Sequence, residues 1–216
     1  MTVLSRLLAV ALFASSSMCV VAQTSAPPNA VDAFKDTSMV KPPDGAKVAI
    51  YEFEDLECPY CALAFPVVHA AVDHYRIPLV RHDFPLVQHA WSFDAAVNAR
   101  YIQDKISPKL AEDYRRDVFV NQNRIASKDD LSSFTQRWFQ SRGQSMPFVM
   151  DASGNCTKEV RSDQALGQRM GLMHTPCIFV VTQKRWVQVV DINQLYRTID
   201  VALAETGGPA AVTGKR

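Results

Sequence analysis

The tetrad Cys58-Pro59-Tyr60-Cys61 sits where an apolar run gives way to helical spacing, and that placement limits what the chain can fold into more than any other feature. Upstream, Val48-Ala49-Ile50-Tyr51-Glu52-Phe53 is short, β-prone and apolar apart from one carboxylate, the pattern of a buried strand. Downstream, Ala62, Phe65, Val68 and Val72 recur at helical spacing between Pro59 and about Tyr75, with Pro66 inside the pattern as a kink. A strand that feeds a helix through Cys-x-x-Cys puts the first thiol at the helix N-terminus. There the unpaired backbone N–H groups and the helix dipole favour thiolate over thiol. The second thiol lies one turn along, within reach of the first. Pro59 suits the first helical turn because the N–H it lacks would have no partner there.

Two other readings compete. A structural zinc or copper site needs two further soft or imidazole ligands. Cys156 and Cys177 supply the number but not a second Cys-x-x-Cys or Cys-x-x-His spacing, and His69, His74, His82, His89 and His174 are scattered. A purely structural disulfide across so short a loop would constrain the unfolded chain little. The tetrad reads first as a pair of thiols able to close a Cys58–Cys61 disulfide, which needs no separate cofactor and no metal, with a zinc or copper site kept as the competing reading.

Composition narrows the partners. Of 216 residues 48% are apolar, which excludes a disordered chain, and Lys+Arg 23 against Asp+Glu 22 offers no basic field for nucleic acid. At the start, Arg6 precedes an apolar run from Leu7 to Phe13, then small residues and Val20-Val21-Ala22, the pattern of a secretory signal peptide cut after Ala22. A retained membrane anchor is the competing reading, but the apolar run before Ser15-Ser16-Ser17 is short for a bilayer. A lipid-modified Cys19 lacks the expected leucine and small residue before the cysteine. Cleavage leaves basic and acidic residues equal in number and four cysteines in a compartment that tolerates disulfides.

Residues 23–46, with Pro27-Pro28 and Pro42-Pro43, read as an extended leader. Ile77 to Phe84 reads as a second strand, delivered by the crossover of a parallel βαβ unit. From 87 to 145 the pattern is helical, with a capping box at Ser127-Lys128-Asp129-Asp130 and a stop at Gly143. A helix over Val160 to about Leu172, a strand over Cys177 to Thr182, a hairpin partner over Trp186 to Val190 and a closing helix from about Ile192 to Ala204 follow. The tail, 207–216, should fray. The class is α/β, in the order β-α-β, helical block, α-β-β-α.

Three segments, in order, carry a family resemblance: Glu52-Phe53-Glu54-Asp55-Leu56-Glu57-Cys58-Pro59-Tyr60-Cys61, Arg81-His82-Asp83-Phe84-Pro85-Leu86 and Gly171-Leu172-Met173-His174-Thr175-Pro176. Over about 47–204 the chain resembles the DsbA-like thiol:disulfide oxidoreductases of the thioredoxin superfamily. The resemblance implies a thioredoxin fold, 47–86 with 146–206, and an inserted helical domain at 87–145. It implies disulfide exchange with cysteine-containing exported proteins in the periplasm or cell envelope, and a membrane redox partner that re-oxidises or reduces the pair. Cys58 is then the attacking and attacked sulfur, and Cys61, more buried, resolves the mixed disulfide. Pro176 is the cis-proline facing the pair, and the Thr175 backbone is left free for an extended client. Cys58, Tyr60, Thr175 and Pro176 line the client groove.

Glu52 matches a buried acid that can take the Cys61 proton, or else it satisfies neighbouring polar groups or reaches solvent. The intervening Pro-Tyr gives no imidazole to Cys58, so the pair should oxidise less strongly than a Pro-His pair. A reductase or isomerase kept reduced by a membrane partner stays open, as does a non-catalytic metal- or client-binding module. His174 is read as a solvent-facing loop imidazole. Cys156 and Cys177 are read as unpaired, because the helix between them spans about 20 Å. Cys177 fills an apolar strand position and Cys156 is a surface or half-buried thiol.

Overall fold

The computed structural model describes residues 23–25 and 31–207, so the signal segment and the tail after Gly207 lie outside the described residues. In chain order the elements are β1 (Thr24–Ser25), β2 (Val48–Glu54), α1 (Pro59–Tyr75), β3 (Leu79–Asp83), α2 (Ser92–Lys105), α3 (Pro108–Asn121), α4 (Lys128–Ser141), α5 (Asn155–Met170), β4 (His174–Thr175), β5 (Cys177–Thr182), β6 (Trp186–Gln188) and α6 (Leu195–Glu205). Strands β3-β2-β5-β6 form one sheet, in which β2 pairs parallel with β3 and antiparallel with β5, and β5 pairs antiparallel with β6. This is a thioredoxin fold, with α2 to α4 inserted between β3 and α5. Among the described residues no helix is long and apolar enough to cross a membrane.

Strand alternation sends the sheet's side chains into two cores. Ile50, Ile178 and Val180 pack with Ala64, Val68, Leu195 and Ile199 of α1 and α6. Tyr51, Phe53, Phe179 and Val181 face Met170 and Leu172 on the other side, where the leader contributes Val40 and half-buried Phe34. The leader is therefore packed against the sheet: Lys35 N–H donates to Met170 O at 3.0 Å and Asp32 N–H to Gln188 Oε1 at 2.8 Å. A third core joins Leu56, Cys58, Cys61 and Phe65 to Tyr114, Val118, Phe119 and Trp138 of the insertion.

Buried charges lock the insertion to the sheet. Arg115 of α3 bonds Glu54 of β2 at 2.6 Å and Asp83 of β3 at 2.7 Å, Arg100 of α2 joins Asp83 to Asp163 of α5, and Arg81 of β3 pairs with Glu54 and Glu112. Such charges are tolerated in a low-dielectric interior only because each has opposite charges around it.

Helix α5 starts at Asn155, five residues before the expected Val160. The start signal is Asp151, whose carboxylate accepts from the N–H groups of Cys156 (3.3 Å) and Thr157 (2.8 Å) across a turn at Gly154, φ +70°. Cys156 and Val160 then lie four apart on one face, and Cys156 is buried among Ala96, Val97 and Val160 rather than at the surface. Burial pushes its thiol up to about 11. Cys156 and Cys177 are free thiols in separate cores. At Ser127 the hydroxyl accepts from Asp130 N–H at 3.1 Å, and the Asp130 carboxylate returns to the N–H of Ala126.

Candidate active site

Cys58 is the N-cap of α1 and Pro59 occupies its first turn, so the helix presents its N-terminus to the Cys58 sulfur. The Cys61 thiol hydrogen-bonds to Cys58, the Ser25 hydroxyl donates to Cys58 Sγ at 3.0 Å, and the Cys58 thiol, when protonated, donates to the Thr175 carbonyl at 3.3 Å. The Cys61 bond, opposed by burial and helped by Ser25 and the Thr175 side chain, lowers Cys58 to about 6. Cys61 receives the Asp55 N–H at 3.4 Å, and burial first, then its neighbour Cys58, pushes it well above a free thiol. One sulfur is thus built to ionise and the other to stay protonated. Both are 0% exposed at the surface, since Ser25 covers Cys58 and the insertion closes over both, and Cys61 is the more deeply enclosed, as expected.

Several residues that sequence reasoning passed over hold this site. Asp55, fully buried, accepts from the N–H groups of Glu57 (2.7 Å) and Leu86 (2.6 Å), and its Oδ2 lies 2.7 Å from His89 Nδ1. Burial would lower His89, but the hydrogen bond and charge of Asp55, with Glu57 and Cys58 behind them, raise it. An imidazole therefore does sit near the dithiol, supplied by the loop before α2 instead of by the tetrad. Glu57 accepts from Ala90, Trp91 and Ser92 at 2.7–3.1 Å, capping α2 from the redox loop. Gln122 donates to the carbonyls of Leu56 (2.8 Å) and Cys58 (3.0 Å). The signal for Asp55 and His89 was faint: an acid within an acidic run, and one scattered histidine.

Glu52 is fully buried, and neither carboxylate oxygen has a hydrogen-bond partner. Burial, then the charge of Glu54, pushes it up to about 8. Asp55 reaches the Cys61 sulfur through its backbone N–H, while its carboxylate faces Glu57, Leu86 and His89.

The Thr175–Pro176 peptide is cis. Pro176 lines a shallow apolar groove with Tyr60, Leu63, Ile178, Val189 and Ile192; Tyr60 and Leu63 are 40% and 69% exposed. Cys58 and Thr175, expected in that groove, are buried beside it. The Thr175 backbone is not free: β1 runs parallel to β4 with Thr24 opposite His174 and Ser25 opposite Thr175. His174 is likewise buried, its Nε2 2.9 Å from Asp32 Oδ2, so the leader takes the place expected for solvent. Asp32, His174 and Cys177 bring one metal-ligating atom each within 4.8 Å of one another. The three are already engaged, since Asp32 Oδ2 also accepts from Gln188 and the Cys177 thiol donates to His174 O at 3.4 Å.

Residues 35–201 match the thioredoxin family. No curated protein sequence matches the chain. Among solved structures, the thiol-disulfide exchange protein α-DsbA2 of Wolbachia pipientis superposes with a TM-score of 0.58 at 16% identity, over 74% of this chain and 84% of its own. DsbA2 of Pseudomonas aeruginosa gives 0.56 at 17%, over 80% and 96%. A periplasmic thioredoxin-like protein of Salmonella enterica serovar Typhimurium gives 0.58 at 18%, over 74% and 87%. With the family match spanning most of its length and the helical insertion of the DsbA structures between β3 and α5, the chain belongs to the thioredoxin family and has a DsbA-like fold.

Proposed function

We propose that the chain is a thiol:disulfide oxidoreductase of the periplasm or cell envelope that oxidises cysteine-containing exported proteins. The observation that carries this reading is the asymmetry of the pair, with Cys58 lowered to about 6 and Cys61 well above a free thiol. A client thiolate attacks Cys58 Sγ of the Cys58–Cys61 disulfide; a client–Cys58 bond forms, the S–S bond breaks, and Cys61 leaves and takes up a proton. A second client thiolate then attacks the client sulfur and expels Cys58 as thiolate. The lower the leaving thiol's pKa, the faster it departs, which favours handing the disulfide on. A membrane redox partner restores the Cys58–Cys61 disulfide, and the pair itself is the only redox group required. The names of the DsbA-fold structures, one a thiol-disulfide exchange protein and another periplasmic, support the activity and its compartment.

The deciding experiment is redox equilibration of the Cys58/Cys61 couple against glutathione. A potential between about −120 mV, that of a strong oxidant of this fold, and about −270 mV, that of thioredoxin, supports the oxidant. A value at or below the thioredoxin figure turns the reading to a reductase kept reduced by its partner. Metal retained by the purified chain with no exchange would point to a binding module.

A further inference from the structure

We propose that residues 23–25 are an internal occupant of the client site, and that Ser25 marks where a client cysteine reacts; this rests on the exchange function proposed above. Thr24 N–H donates to Met173 O at 2.6 Å, the Gln88 side chain donates to Gln23 O at 2.9 Å, and the parallel register sets Ser25 opposite Thr175. Ser25 Oγ lies 3.0 Å from Cys58 Sγ. A cysteine differs from serine only in having sulfur for the hydroxyl oxygen, so at this place its sulfur would meet Cys58.

The chemistry follows from that placement. An extended client segment added parallel to β4, with its cysteine at the Ser25 register, meets the sulfur that the helix activates. Serine satisfies the same edge and donates to the Cys58 thiolate, yet has no sulfur to exchange. With β1 in place Cys58 is 0% exposed, so a client must displace it. The tether keeps the occupant's effective concentration high, and apparent client affinity falls by the fraction of chains in which β1 is docked. Clients whose cysteine lies in a segment that binds more tightly than Gln23-Thr24-Ser25 are selected.

Two variants test this. Thr24→Pro removes the N–H bonded to Met173 without touching the domain, and alkylation of Cys58 in the reduced protein, above the thiol's titration range, should quicken about two- to tenfold, the worth of one net hydrogen bond. Ser25→Cys combined with Cys61→Ser, treated with glutathione disulfide, should first place a glutathionyl group on Cys58. The introduced thiol then displaces it, so that two glutathione thiols are released and a disulfide joins positions 25 and 58, seen by peptide mass. Unchanged alkylation in Thr24→Pro, or a glutathionylated Cys58 that never transfers to position 25, overturns the occupant while leaving the exchange function standing. A Cys58 that takes no glutathione even when Thr24→Pro is added to the double variant counts against the exchange function itself.

Discussion

Ser25→Ala keeps the β1 backbone but removes the hydroxyl that donates to Cys58 Sγ at 3.0 Å. A hydrogen bond to a charged acceptor contributes about 1.5–3 kcal/mol, and with the Cys61 and Thr175 contacts left in place the low end applies, roughly one pKa unit. Cys58 should therefore titrate near 7 rather than at about 6. The disulfide form gains nothing from this donor, so the loss falls on the reduced state alone. Ionisation stabilises the reduced form by RT ln(1 + 10^(pH − pKa)), about 1.4 kcal/mol at pH 7 in the parent and about 0.4 in the variant. The difference of about 1 kcal/mol lowers the potential by roughly 20 mV, since about 30 mV corresponds to 1.4 kcal/mol for two electrons. At pH 5 neither thiol is ionised and the difference should vanish, while at pH 8 it should approach about 30 mV. Titration of thiolate ultraviolet absorbance gives the pKa, and glutathione equilibration at three pH values gives the potentials. An unchanged titration, or a potential difference as large at pH 5 as at pH 8, would refute the hydrogen-bond account.

Arg115→Met leaves Glu54 and Asp83 without their shared guanidinium in a buried site, and should cost about 3–5 kcal/mol in urea unfolding at neutral pH. Asp83 is held below the usual carboxylate range by Arg115 and Arg100 against burial, so the stability this network contributes is present above about pH 4 and is lost as pH falls through the folded value; the gap between parent and variant should narrow in acid. Gly167 of α5 packs on the Phe84 ring, and a methyl there would come within 2.5 Å of Phe84 Cε2. Gly167→Ala should therefore destabilise by about 1–3 kcal/mol, against the gain alanine normally brings inside a helix, and a rise in melting temperature would show that the ring yields.

The framework was legible because its signals are local. Alternation and β-branching mark β2 and β5, helical spacing marks α1, and Cys58-Pro59 marks a helix start, none of which needs a distant partner. What was hidden depends on partners far along the chain. The cap of α5 is an aspartate, Asp151, set back across a glycine turn, so the apolar period visible in the sequence begins only at Val160 and leaves the Cys156–Val160 face hidden. His174 gave no hint of burial, because its partner Asp32 is 142 residues away in a stretch that reads as a polar leader. Asp55 and His89 come together only when the loop before α2 folds back over the dithiol, and Arg115 finds Glu54 and Asp83 only through the tertiary fold.

Glu52 shows how such a site is kept at a cost in stability. Its carboxyl, without a hydrogen-bond partner and pushed up to about 8, stays protonated in the fold at pH 7, whereas in the unfolded chain, with a pKa near 4.3, it ionises. The native state then binds the extra proton, so stability falls as pH rises from about 4 to 8, and at pH 7 the penalty is at most about 3–4 kcal/mol. Glu52→Gln keeps the shape, is neutral in both states and removes that penalty, less what a buried amide loses without partners. The variant should therefore be more stable than the parent at pH 7, with the advantage gone by about pH 4. Urea unfolding at the two pH values measures this. A difference between variant and parent that is the same at pH 4 and pH 7 would mean that Glu52 does not hold the extra proton in the fold. If the gain appears and client exchange slows as well, the protonatable carboxyl takes part in the proton traffic of Cys61; unchanged exchange would rule Glu52 out of that traffic.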